Sequence, residues 1–141
     1  MNKKLYKDIE SMQWHPTQEH SLVVTTESGH LIGFDSRNFT QPVYSVQAHA
    51  KQCSAASFSP HISGMLATVG SDSICKVWDV TSTNTEGKAE PKLISKRDLK
   101  QGELFSVQFY SDIAWVLAAG GSKGEVAIWD TEESAEIKKH F

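Results

Sequence analysis

Within one stretch of this sequence, His49, Thr68, Asp72 and Trp78 supply an imidazole, a hydroxyl, a carboxylate and an indole N–H. Each of these groups costs stability when it is buried without a hydrogen-bond partner. Joined, they would hold a loop, a turn and two strands in one register; apart, His49 and Asp72 would be two solvated loop residues. Catalytic chemistry is not indicated. Ser, His and Asp all occur, yet no pattern sets them as nucleophile, base and orienting group. The six histidines, His15, His20, His30, His49, His61 and His140, include no pair at the i, i+4 spacing of a metal-binding helix face, and Cys53 and Cys75 are not at zinc spacing. Gly120-Gly121-Ser122-Lys123-Gly124 resembles a phosphate cradle but joins two strands, so it reads as a tight hairpin. Trp14, Trp78, Trp115 and Trp129 could form a base-stacking platform, although their strand positions favour core packing. The expectation is a non-enzyme with no catalytic residues, metal or cofactor.

The elements that must position the four residues are short strands. Cys53–Phe58, Leu66–Gly70 and Ile74–Trp78 are rich in β-branched, aromatic or small apolar residues, and Gly, Pro, Ser or Asp separates them. Two landmarks then repeat along the chain. Phe34-Asp35, Trp78-Asp79 and Trp129-Asp130 close equivalent strands, spaced 44 and then 51 residues apart, and Trp14, Phe58 and Phe109 end first strands at the same two steps. No segment keeps a helical period between breakers, except at the tail. The first unit has Ile9, Met12 and Trp14 filling a strand, then strands over 21–26, 31–35 and 42–46. After Asp79 the second unit carries a polar insertion, TSTNTEGKAEP, expected to be a mobile loop in which Thr81, Ser82, Thr83 and Thr85 are alternative phosphorylation sites. Lys92–Lys96 follows as an outer strand. The third unit places strands at 104–109, 115–119 and 125–129; Ala135–Phe141 should be its outer strand, or else the start of a helix.

The stretch around His49, Thr68, Asp72 and Trp78 resembles a repeat of the WD-repeat family. That resemblance implies an all-β fold: three four-stranded antiparallel blades of an incomplete WD-repeat β-propeller, at residues 1–47, 48–99 and 100–141. It also implies that His49 bonds Asp72, with Thr68 and Trp78 extending the chain. The first unit is degenerate, with Leu5, Val24, Ser28 and Phe34 at the four positions, so packing must hold it. In the third, Lys100, Ala119 and Lys123 replace three of them and only Trp129 remains. Propellers close with about four to eight blades, so the chain is expected to be part of a longer protein, and alone to expose both flanks and associate.

Composition bounds the function. The 141 residues carry a formal net charge of −3, 39% hydrophobic residues and 22% charged ones, which does not forecast wholesale binding to nucleic acid or an anionic membrane. The start MNKKLYKDIE lacks the apolar core of a secretory signal, and no apolar run is long enough to span a membrane. Both cysteines read as small buried hydrophobes rather than a disulfide. What remains is a rigid scaffold whose loops bind partners. One face should collect Lys51, Gln52, Ser71, Lys100, Gln101, Ser122 and Lys123; the lysines could meet RNA phosphate or an acidic protein, or form a solvated rim. Further motifs, DIESMQWHP, FDSR, QAH, SDSICKVWD, SKRDLKQGELFSVQF and AAGGSKGEVAIWD, resemble the C-terminal blades of the periodic tryptophan protein 1 family. That resemblance implies a nuclear, nucleolar scaffold in large-ribosomal-subunit assembly and ribosomal RNA processing, with pre-ribosomal proteins as partners, rRNA contact through local basic loops, and neither a membrane nor a small-molecule substrate. Phe34-Asp35-Ser36-Arg37 also resembles the box by which some WD-repeat proteins dock onto cullin-RING ubiquitin ligases, with Arg37 as a bidentate contact. Recognition of histone tails or chromatin is a third reading, with no specific residue behind it.

Overall fold

Residues 8–141 are described by a computed structural model, in which they form three antiparallel sheets. The first comprises β1 (Ile9–Trp14), β2 (Ser21–Thr26), β3 (His30–Asp35) and β4 (Tyr44–Gln47). The second comprises β5 (Cys53–Phe58), β6 (Met65–Gly70), β7 (Ile74–Asp79) and β8 (Lys92–Asp98). The third comprises β9 (Leu104–Phe109), β10 (Val116–Gly121) and β11 (Val126–Asp130). Strands pair in sequence order within each sheet. The expectation placed at Leu5 lies outside the described residues.

Register reproduces the sequence period. Trp14, Phe58 and Phe109 face Leu22, Leu66 and Leu117, which in turn face Phe34, Trp78 and Trp129. The middle sheet is buried on both faces. One face sets Cys53, Ala56, Phe58, Leu66 and Trp78 against Val23, Leu31 and Ala48. The other sets Met65, Ala67, Val69, Cys75 and Val77 against Leu104, Val107, Phe109, Leu117 and Trp129. This is why β6 is buried at every position rather than at alternate ones, with Thr68 its one polar side chain. Cys53 and Cys75 lie on these opposite faces as free, buried thiols, each pushed up to about 12 by burial.

Four expectations are corrected. First, among the described residues the third sheet has three strands, not four. The tail is a 3₁₀ turn (Thr131–Glu133) followed by α1 (Ala135–His140). As a strand, AEIKKHF would put Lys139 on the same side as Ile137 and Phe141, whereas helical i, i+4 spacing keeps the two apolar residues together. Ser134 caps the helix by accepting from the Ile137 N–H, and Ile137 is fully buried. Second, Trp115 is not in a strand. It adopts a left-handed backbone (φ 78°) at the position where the middle sheet has Gly64 (φ 79°), and its carbonyl accepts from the Thr131 hydroxyl at 2.6 Å. Third, the polar insertion is a small closed hairpin. Asn84 Oδ1 accepts from the Glu86 and Lys88 N–H groups, and Glu90 N–H donates to the Ser82 carbonyl. Fourth, Ile9, Met12 and Trp14 are exposed rather than core residues, because nothing among the described residues packs on that side of β1.

Candidate functional site

The His49 relay begins with its backbone. Ala48 and His49 N–H both donate to the Gly29 carbonyl of the first sheet, at 2.9 and 3.0 Å, and Gln47 Nε2 donates to the His49 carbonyl at 2.6 Å. The loop that carries the imidazole is therefore tied to the β2–β3 turn of the preceding sheet. His49 Nδ1 donates to Asp72 (2.9 Å to Oδ2), and Trp78 Nε1 donates to Thr68 Oγ1 at 2.9 Å. The Thr68 hydroxyl hydrogen is then free to donate to His49 Nε2, also at 2.9 Å. A carboxylate only accepts and an indole N–H only donates, so the neutral imidazole protonated on Nδ1 satisfies every position. Burial lowers the His49 pKa below 6.5, against the opposite pull of Asp72. The pair is thus a hydrogen bond to a neutral ring rather than an ion pair. Asp72 Oδ1 also accepts from the Ile74 N–H at 3.1 Å, closing the turn. Lys76 Nζ donates to the Ala48 carbonyl at 2.6 Å and sits 6.0 Å from the Trp78 ring centroid.

The four residues expected to join do join. Thr68, His49 and Asp72 even have the connectivity of a nucleophile, a base and an orienting carboxylate. No substrate can reach them, because Thr68 is wholly buried, its oxygen is held by Trp78, and the His49 side chain has no exposure. Sequence reading missed Gly70. A Cβ there would come within 2.8 Å of the imidazole and 2.7 Å of the Gln52 carbonyl, so only glycine lets β6 pass under the ring.

In the first sheet Val24 and Phe34, at two of the matching positions, are buried with Leu22 and Ile32 beside Phe39. The sheet adds a small polar cluster: Ser28 Oγ lies 2.9 Å from Thr26 Oγ1 and 3.0 Å from His30 Nδ1. In the third sheet Trp129 is buried, with the Arg97 guanidinium 5.8 Å from its ring. Lys100 caps a turn, its N–H donating to Asp98 Oδ1 at 2.8 Å.

Of the candidate contact residues, Lys51, Lys100 and Lys123 are exposed, and Gln52 and Gln101 are half-buried. Ser71 N–H donates to the Gln52 carbonyl and Lys123 N–H to the Gln101 carbonyl, so each loop and turn is joined within its own sheet. Arg37 lies at the opposite end of the first sheet. Its Nε and Nη2 hold Asp35 in a two-pronged contact at 3.0 and 2.7 Å. The Arg37 hydrogen bond lowers the Asp35 carboxyl to about 2. A partner carboxylate would have to displace Asp35 to use the same fork. Among the described residues, no group of three or more His, Cys, Asp or Glu could hold a metal ion, and no helix is long and apolar enough to cross a membrane.

The geometry matches a known family. The family model described as WD domain, G-beta repeat, matches residues 40–79, the stretch that contains the whole relay. Residues 40–79 are a WD repeat. The three sheets around this WD repeat are consistent with part of a β-propeller. The chain is 32% identical over 136 residues to an uncharacterized WD repeat-containing protein of Schizosaccharomyces pombe, covering 95% of this chain and 25% of that one. To the periodic tryptophan protein 1 homolog of Drosophila melanogaster it is 27% identical over 139 residues, covering 98% and 29%. To protein transport protein SEC31 of Yarrowia lipolytica it is 30% identical over 132 residues, covering 89% and 11%. The chain spans less than a third of the length of each relative. The likeness to periodic tryptophan protein 1 expected from the sequence motifs thus extends over nearly all of this chain.

Proposed function

We propose that this chain is a non-catalytic WD-repeat scaffold that contributes binding surface to ribosome assembly in the nucleus and nucleolus, acting in large-subunit maturation and ribosomal RNA processing. The observation that carries this reading is the likeness to a periodic tryptophan protein 1 homolog over 98% of the chain. The buried relay supports the non-catalytic part, since its imidazole serves register rather than reactivity. Candidate contacts are the exposed Lys51, Lys100 and Lys123, at the same end of the three sheets as Gln52, with an acidic protein or RNA phosphate as the matching chemistry.

The test is affinity capture of the tagged chain from cells, with RNA and protein analysed together. Pre-ribosomal RNA and assembly factors should accompany it, and salt should weaken any RNA contact. Replacing Lys51, Lys100 and Lys123 together by Glu should reduce that recovery. Enrichment of protein-transport factors without ribosomal RNA would instead favour a transport role of the kind named in protein transport protein SEC31.

A further inference from the structure

The residue after each first strand stands at one point of the fold. His15, Ser59 and Tyr110 follow Trp14, Phe58 and Phe109, and their backbone N–H groups donate to the carbonyls that begin the second strands, at Ser21, Met65 and Val116. In the second sheet the side chain at this point closes the turn: Ser59 Oγ accepts from the His61 N–H at 3.3 Å and the Ile62 N–H at 3.0 Å. In the first sheet an imidazole takes that role. His15 Nδ1 accepts from the Thr17 N–H at 3.1 Å and the Gln18 N–H at 3.0 Å, at the same two offsets along the chain. A hydroxyl oxygen accepts at any ordinary pH, whereas an imidazole nitrogen accepts only while it carries no proton.

The surroundings of His15 oppose that proton. Its ring packs on Phe58 of the second sheet, with centroids 4.7 Å apart, and burial lowers its pKa below 6.5. It lines a cleft of about 120 Å³ between the two sheets that holds His61 and no carboxylate. His61 Nε2 donates to the Ser111 carbonyl at 2.6 Å, a bond that either protonation state can make. The nearby acids have partners of their own. Glu19, on the turn, lies 3.3 Å from His20 Nε2, and Asp79 Oδ1, beyond Gly64, accepts from the Thr81 N–H and hydroxyl at 2.8 and 2.6 Å. Two residues before His15, Gln13 Oε1 accepts from the Phe58 N–H at 2.7 Å, a joint between the first and second sheets that Ser57 Oγ repeats toward the third by accepting from the Phe109 N–H at 3.1 Å.

We propose that His15 is a proton-operated catch at this corner: the neutral ring closes the β1–β2 turn through Nδ1, and protonation turns that acceptor into a donor, releases the Thr17 and Gln18 N–H groups and loosens the contact of Gln13 with Phe58. The catch is shut above 6.5 and opens as the pH falls toward the lower value of the folded chain. The inference rests on the geometry of the turn, not on the ribosomal reading.

Nuclear magnetic resonance of the isotope-labelled full chain tests it between about pH 7 and 5, a window that brackets the ordinary histidine range. At the upper end, the ring-nitrogen signals of His15 should place its proton on Nε2. On acidification the amide signals of Thr17, Gln18 and Phe58 should move together, with one midpoint below 6.5. His15→Ser supplies the acceptor found at Ser59 without the titration, so the same amides should stay fixed; His15→Asn does so with a carbonyl oxygen if the serine variant does not fold. A neutral ring protonated on Nδ1, stationary Thr17 and Gln18 amides in the wild type, a midpoint at or above 6.5, or unchanged movement in the variant would overturn the proposal. Movement of Thr17 and Gln18 without Phe58 would overturn the loosening of the joint.

Discussion

His49 has one partner on each ring nitrogen, and each partner needs it neutral or donating in one direction only. Removing the carboxylate by Asp72→Ala leaves Nδ1–H and the Ile74 N–H without their acceptor. Because the imidazole is buried, we expect a loss of about 1–3 kcal/mol in a urea titration. Ser28→Ala, at the matching position of the first sheet, touches only short hydroxyl contacts beside packed apolar residues and should cost much less. Equal losses in the two variants would sink the relay's role. The lowered His49 pKa carries a second expectation. The unfolded chain takes up the proton near pH 6.5, and the folded chain only at lower pH. This contribution is therefore complete above pH 6.5 and is lost as pH falls below it toward the folded pKa. His15 is shifted the same way by burial, so the relay's share is the part of the slope that His49→Gln removes. Unchanged slopes between pH 5 and 7 in the two proteins would refute it, a window chosen from the ordinary histidine range of about 6.5.

At the scale of the element, the hairpins compare three solutions to one problem. Each turn between second and third strands needs a left-handed residue: Gly29 (φ 90°), Ser73 (φ 74°) and Gly124 (φ 74°). Serine in that region is strained by roughly 1–2 kcal/mol, and glycine returns part of the difference through chain entropy, about 0.5–1 kcal/mol. Ser73→Gly should therefore raise stability by up to about 1 kcal/mol, read as a higher thermal midpoint; a lower midpoint would mean that Ser73 makes a contact that outweighs the strain. The strands themselves were legible in the sequence, because the aromatic strand ends and the Asp-terminated third strands share one spacing, and register follows from it. The relay was legible because its residue types suit only that arrangement. The tail was not, since a single apolar pair at Ile137 and Phe141 suits two periods and only packing against the middle sheet decides. Trp115 was misplaced because its bulk favours a strand while its position requires the backbone of Gly64. The joint between sheets was hidden for another reason: Gln13 and Ser57 do the same work with different side chains.

For the whole molecule, the consequence of a middle sheet buried on both faces is cooperativity. Its two cores share β5, β6 and β7, so neither outer sheet can leave without exposing residues such as Leu66 or Met65 that are now fully buried. The side chains crossing between sheets add to this: Gln13 to Phe58, Ser57 to Phe109, His61 Nε2 to the Ser111 carbonyl at 2.6 Å, and His140 Nε2 to Asp79 at 2.7 Å. We expect one urea transition, the same by circular dichroism and by tryptophan fluorescence, which reports from Trp14 and Trp78 in the first two sheets and Trp129 in the third. Gln13→Ala is the sharper probe. It leaves the Phe58 N–H without its acceptor at the first joint, a loss of about 1–3 kcal/mol for a buried group. Because the sheets unfold together, that loss should shift the single transition for both probes alike. A variant in which the fluorescence and circular dichroism transitions separate would show that the first sheet unfolds on its own, and that the two cores do not act as one.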